Sequence, residues 1–190
     1  MALWGVTDAD EAKPKWAVRG SGVDPQNIFA TSQGWVLRHY KNAAKTKYWD
    51  EVLVTVDGLV GAGGRGTITL GEADITAIFF EETGYAGGAT GTVVVIYNEQ
   101  VNVTNGATLI VRNTTDSANI TATAAAQTGV NRVEFTFTAA ATGKAHALQA
   151  QTISGTIVDT TGGATSDKAF VAGDVIGAGG SGSTKTFTAS

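Results

Sequence analysis

The sequence predicts an all-β chain, a β-sandwich preceded by a small β-rich N-terminal module with an extended arm. Three observations predict it. Short apolar runs with period-two alternation recur along the chain and are separated by turn residues at regular intervals. Glycine is abundant (25 of 190 residues) and proline scarce (2), a balance suited to many short strands joined by tight turns. No long run of Ala, Leu, Glu and Lys offers a helical bundle.

Taken in order, residues 1–27 read as the extended arm, because Pro14, Gly20, Gly22 and Pro25 break any regular element. Trp4 and Trp16 are its only large aromatic residues, and indole rings of this kind pack on their own domain or on a neighbouring subunit. Residues 34–40 form a first strand with Trp35, Leu37 and His39 on one face, and residues 48–56 a second in which Val52, Val54 and Val56 alternate with Leu53 and Thr55. The polar stretch 41–46 between them makes the pair a hairpin. The run GLVGAGGRG at 58–66 is a hinge or long turn, which places the boundary between a module at 1–66 and a sandwich at 67–190.

Within the second part, residues 75–80 and 93–97 are apolar on both faces and read as central strands, with a turn at 84–88 between them. Residues 108–112 and 119–123 form the next two strands around the turn 113–116. Val133, Phe135 and Phe137 alternate with Glu134, Thr136 and Thr138, so one face is buried and the other wet. Residues 148–158 contain a further strand, with a bulge near Ser154-Gly155. The glycine-rich stretch 177–183 reads as flexible, and 184–188 as a last strand.

Composition excludes several function classes. Hydrophobic residues are 43% and charged residues 16%, a globular balance. With no cysteine there is neither a disulfide nor a zinc–thiolate site. The first residues lack the early positive charge and apolar stretch of a secretory signal, so assembly in a reducing cytoplasm is expected. No segment approaches the roughly 18 apolar residues of a membrane-spanning helix, and no membrane partner is expected. The net charge of −4 is uneven, with 8 Lys/Arg against 7 Asp/Glu in 1–66 and 5 against 10 in 67–190. Only Arg38, Lys41, Lys45 and Lys47 cluster. That is too little for sustained phosphate contact, so nucleic acid is not an expected partner.

Catalytic chemistry finds no foothold. His39 and His146 are the only histidines, no G-x-S-x-G elbow surrounds a serine, and both read as surface or half-buried residues. Glu81 and Glu82 are adjacent, so on a strand they point to opposite faces and cannot share a substrate. The glycine runs 61–66 and 177–182 lack the Lys-Ser/Thr ending of a phosphate loop. Glu99, Asp116, Asp159 and Asp167 supply hard oxygens at loops but not the alternating spacing of a calcium site. Asn102, Asn113 and Asn119 sit in N-x-T triplets, read as accidents of a Thr-rich composition. The expectation is a protein that is not an enzyme and holds no cofactor or metal.

The positive signal is aromatic. Trp4, Trp16, Trp35, Tyr40, Tyr48 and Trp49 all lie in the first 50 residues, beside Arg38, Lys41, Lys45 and Lys47. Such residues dominate protein–protein contacts, which makes these ten the interface candidates; the alternative is that the aromatics form the small module's own core.

Two resemblances add to this reading. The run 96–101 (IYNEQV) followed by Ala107-Thr108-Leu109, then 131–138 (NRVEFTFT) and 151–159 (QTISGTIVD) with Gly162-Gly163-Ala164, resembles the repeat of bacterial Ig-like domains. It departs from that repeat in Tyr97, where Phe is usual. The resemblance implies an Ig-like β-sandwich that acts as an adhesive or spacing module, an architecture and not a chemistry. In the N-terminal part, 1–5 (MALWG), Lys13-Pro14-Lys15 and 30–36 (ATSQGWV) look like the opening of small neck or structural virion proteins of tailed phages of marine cyanobacteria. That likeness implies a capsid decoration, cement or neck accessory protein assembled in the host cytoplasm and located on the virion. Its partners would be the major capsid protein or neck and tail proteins, together with copies of itself. A carbohydrate- or cell-surface-binding Ig-like module is the alternative, and it needs a solvent-facing aromatic platform on the sandwich, where only Tyr85 and Tyr97 are available.

Overall fold

The computed structural model describes residues 24–31, 34–54, 73–160, 163, 165–180 and 184–190. These form thirteen strands: β1 (Ile28–Thr31), β2 (Gly34–Tyr40), β3 (Tyr48–Val54), β4 (Ile75–Phe80), β5 (Thr90–Val103), β6 (Ala107–Asn113), β7 (Ala118–Ala124), β8 (Gln127–Thr138), β9 (Ala145–Leu148), β10 (Gln151–Thr152), β11 (Ile157–Asp159), β12 (Ala169–Phe170) and β13 (Thr186–Thr188). Two single 3-10 turns, Pro25–Asn27 and Ala178–Gly180, are the only helical elements among the described residues. The all-β expectation holds. The boundary near residue 66 and the arm residues 1–23 lie outside the described residues.

The sandwich is built from one eight-stranded sheet folded over on itself. Its order is β11-β5-β8-β7-β6-β9-β13, and β4 also pairs with β5. Because β8 occupies one edge of β5, β4 (against 93–97) and β11 (against 101–103) share the other. The β5–β8 register breaks between Ile96 and Val101, where extra residues bend the strand and let the sheet curl. The curl brings its two ends together. Phe80 on β4 meets Phe187 on β13 edge-on at 4.9 Å, Ser190 N–H donates to Tyr85 O at 3.1 Å, and Gly87 N–H donates to Ser190 O at 3.0 Å.

The alternation seen in the sequence becomes the two faces of this sheet. Val133, Phe135 and Phe137 point inward with Leu109, Val111, Ala122 and Ala124, and they form the main core with Val93, Val95 and Tyr97. Outward, Thr92, Thr136 and Thr123 stand in one cross-strand row, continued by Thr108. Thr90 and Thr138 begin a second row. Threonine fits there because a β-branched side chain packs on a pleated surface while its hydroxyl stays wet.

All six residues of β4 are buried, so both its faces are covered. The inner face belongs to the main core. On the outer face Ala77, Phe79, Val94 and Ile96 cluster with Ile176. The segment 174–176 lies along the free edge of β4, where Ile78 N–H donates to Asp174 O and Ile176 N–H donates to Ile78 O, both at 2.9 Å. The small sheet β1-β2-β3 attaches through its first strand. β1 lies against β5, and Asn131 Nδ2 donates to Gln26 O at 2.8 Å.

Two expectations are corrected here and one is refined. Residues 148–158 hold more than the one strand expected. They end β9, form β10 and begin β11, as the chain crosses from one edge of the folded sheet to the other. Gly155 makes that crossing possible: its φ is 95°, and a Cβ there would sit 2.7 Å from Ala107 Cα. The described part of the glycine-rich stretch is packed rather than free, with Gly177, Ala178 and Gly180 buried and Gly180 seated on the Phe79 ring. His146 is neither superficial nor half-buried. It is 0% exposed, stacked 4.4 Å from Phe187, and its Nε2 accepts a hydrogen bond from Ala140 N–H at 3.0 Å. Burial lowers its pKa, and a neutral imidazole serves as a flat core residue.

Candidate interaction surface

The β2–β3 hairpin has a buried root and an exposed tip. At the root Ile28, Phe29 and Ala30 of β1 pack with Trp35 and Val36 of β2, all at most 5% exposed. Beyond them the pairs Arg38↔Asp50, His39↔Trp49 and Tyr40↔Tyr48 project past the apolar root. The strand faces sort these pairs. Arg38, Tyr40, Tyr48 and Asp50 share one face, and His39, Trp49 and Glu51 share the other.

On the first face Arg38 is clamped. Its Nε and Nη2 donate to the two carboxylate oxygens of Asp50 at 2.8 and 2.9 Å, and its guanidinium lies 4.4 Å from the Phe29 centroid and 3.9 Å from that of Tyr48. The hydrogen bonds that Arg38 donates to Asp50 raise its pKa, so the side chain is a fixed cation already neutralised by its neighbour. Tyr40 meets Tyr48 edge-on at 6.2 Å, and burial raises its phenol pKa. On the second face His39 and Trp49 stack at 4.1 Å, and His39 Nε2 is bonded to Glu51 Oε2 at 2.8 Å.

The loop that joins the strands is closed by one side chain. Asn42 Nδ2 donates to Thr46 Oγ1 at 2.7 Å, and its Oδ1 accepts from Lys47 N–H at 2.9 Å. Lys45 takes φ 55°, a left-handed conformation that the turn requires. This frame holds Lys41, Lys45 and Lys47 in solvent, with Lys45 Nζ 5.3 Å from the Tyr40 ring centre.

The sequence-based candidates therefore separate. Trp4 and Trp16 lie outside the described residues. Trp35 is 1% exposed and belongs to the protein's own core, which corrects its place among the contact residues. Arg38 is spent on Asp50. Tyr48 at 50% and Trp49 at 48% exposure stand with Lys41, Lys45 and Lys47 as the accessible set. Val52, 42% exposed, joins them.

The other candidates are also located. Asp116 accepts from Lys144 Nζ at 2.7 Å and Asn113 Nδ2 at 2.9 Å, the lysine contact being the main cause of its lowered pKa. Asp167 accepts from Ala169 N–H at 2.8 Å, while Glu99 and Asp159 are buried. Among the described residues no group of three or more His, Asp or Glu is gathered as a metal site would need. Glu81 and Glu82 are exposed, and Arg132 bonds Glu81 and lies 3.1 Å from Glu134. Tyr85 and Tyr97 are both buried, so neither offers the ring that a glycan-binding reading of the sandwich would use. Comparison with protein-family models, curated proteins and solved structures returned no match.

Proposed function

We propose that this chain is a non-enzymatic structural protein of a tailed-bacteriophage virion, a decoration, cement or neck accessory protein that attaches through its N-terminal module and projects its sandwich. One observation carries the reading. The most exposed aromatic side chains of the described residues, Tyr48 and Trp49, share a hairpin tip with Lys41, Lys45 and Lys47, and that tip stands off a well-covered sandwich. Exposed aromatics beside solvated cations suit a protein neighbour of acidic surface. The N-terminal resemblance to small virion proteins supplies the setting, and the acidic sandwich is compatible with an outward-facing role.

The test is attachment to particles. Cryo-EM and mass spectrometry of purified virions should find the chain at a copy number set by particle symmetry. The triple variant K41E/K45E/K47E should fold normally and lose most of its occupancy. Deleting residues 1–23 measures the arm separately. Residues 24–31 must be kept, because Gln26 and β1 pack on the sandwich. Absence of the chain from particles, or full occupancy of the triple variant, overturns the reading.

A further inference from the structure

Among the described residues β3 is an edge strand, paired only with β2. Lys41 N–H donates to Lys47 O at 2.8 Å, which makes 41/47 a hydrogen-bonded pair. By alternation 39/49 and 37/51 are hydrogen-bonded too, so the amides and carbonyls of Tyr48, Asp50 and Val52 point away from β2. Proteins usually blunt such a row with proline, lysine, a bulge or a covering segment. β3 contains no Pro or Lys, and its irregularity lies at the far end, beyond Val52. Three of the four large apolar side chains most exposed among the described residues (Tyr48, Trp49 and Val52) stand on it.

We propose that β3 pairs antiparallel with β3 of a second copy, about a twofold axis through Trp49. A twofold perpendicular to the sheet sets residues of equal parity opposite one another, so only a few registers exist. Of the registers centred within 49–51, those on Asp50 and on Glu51 set two like carboxylates face to face. Centring on Trp49 brings the two indoles together and sets Tyr48 opposite the partner's Asp50, through amides and carbonyls that both point outward. It also sets Lys47 opposite the partner's Glu51, and does so twice by symmetry. Lys47 is solvent-exposed and the Glu51 side chain is 51% exposed, so both reach this contact without leaving the fold. The backbone bonds and the buried indoles hold the pair, and the two ion pairs fix its register. The result is a continuous six-stranded sheet across two copies.

This deepens the attachment reading by naming a second copy as the partner of the same hairpin. The test uses the full chain in light scattering and sedimentation across a concentration series. The wild type should reach twice its 19.4 kDa mass. K47E and E51K should each weaken the dimer about tenfold, since each converts both attractions into repulsions, and the double variant K47E/E51K should restore it. Circular dichroism confirms that each variant is folded. A monomer at all concentrations, a dimer indifferent to either single change, or a double variant that stays weak overturns the pairing. A monomer that still attaches to particles through this hairpin overturns the pairing alone. A dimer that stays off particles overturns the attachment reading alone.

Discussion

Replacing Phe187 with alanine removes the ring that closes the folded sheet. Phe187 is 4% exposed, stacks on His146 at 4.4 Å, meets Phe80 and Tyr85 edge-on at 4.9 and 5.0 Å, and lies 6.3 Å from Phe137. β13 is only three residues long and among the described residues pairs only with β9, and Phe187 is its one large buried side chain. Loss of the buried ring forfeits about 2–3 kcal/mol of transfer free energy. The four surrounding rings cannot all relax into the space, which brings the total to about 3–5 kcal/mol. In a chain of 190 residues each kcal/mol lowers Tm by about 2–4 °C, so a fall of about 6–20 °C is expected. Thr186→Ala and Thr188→Ala, on the exposed face of the same strand, should stay within about 0.5 kcal/mol. Calorimetry or far-UV circular dichroism is the proper probe, because all four tryptophans lie in the first 50 residues, before the first strand of the sandwich. A Phe187→Ala loss below about 1 kcal/mol would mean that β13 stands outside the cooperative unit and that the closure argument is wrong.

Acidification should destabilise the sandwich through His146. The folded imidazole is held neutral with a pKa below 6.5, so its contribution is full above that value and is lost as pH falls toward the folded pKa. Urea midpoints should drop on going from about pH 8 to about pH 5.5, and less steeply in His146→Gln; equal slopes would show that other groups dominate. Arg38→Ala should cost about 1–3 kcal/mol in the small sheet, followed by tryptophan fluorescence, and lysine should not replace it because a bidentate, stacked guanidinium is lost. Gly155→Ala should cost about 1–3 kcal/mol by calorimetry, because its φ of 95° and the nearby Ala107 backbone both resist a Cβ. A neutral result would mean that the crossing relaxes freely.

The strands with a strong period were legible in the sequence, and those held by distant partners were not. β2, β4, β6, β7 and β8 announce themselves through alternation or through runs apolar on both faces. β1 has four residues, and β9, β10 and β12 have two to four, too few for a period to show. The hydrogen bonds of β9, β10 and β12 come from segments well removed in sequence, which local pattern cannot supply, whereas β1 pairs with its neighbour β2 and is hidden by its shortness alone. Of the candidate surface, the aromatic and basic enrichment was visible. Which rings face inward was not: Trp35 and Trp49 look equivalent in sequence, and the structure separates them by pairing Trp35 with Ala30 of β1 at the buried root while Trp49 stands at the exposed tip. His146 was misread because a histidine that packs as a flat ring carries no sequence mark.

Counting through the sheet from β4 by antiparallel steps (β5, β8, β7, β6, β9) gives β13 the same direction as β4. Residue 73 therefore sits at one pole of the sandwich, and residue 190, bonded beside Tyr85 and Gly87, at the other. Tension drawn between those two points runs along the strands. It strains the β4–β5 ladder and the parallel Ile78–Val175 bridge in shear, so their bonds must yield together rather than open one after another. A pull on the β2–β3 tip instead meets the small sheet's edge and peels it pair by pair. Under mechanical load the sandwich is the rigid link of this chain, and the hairpin is where it gives first.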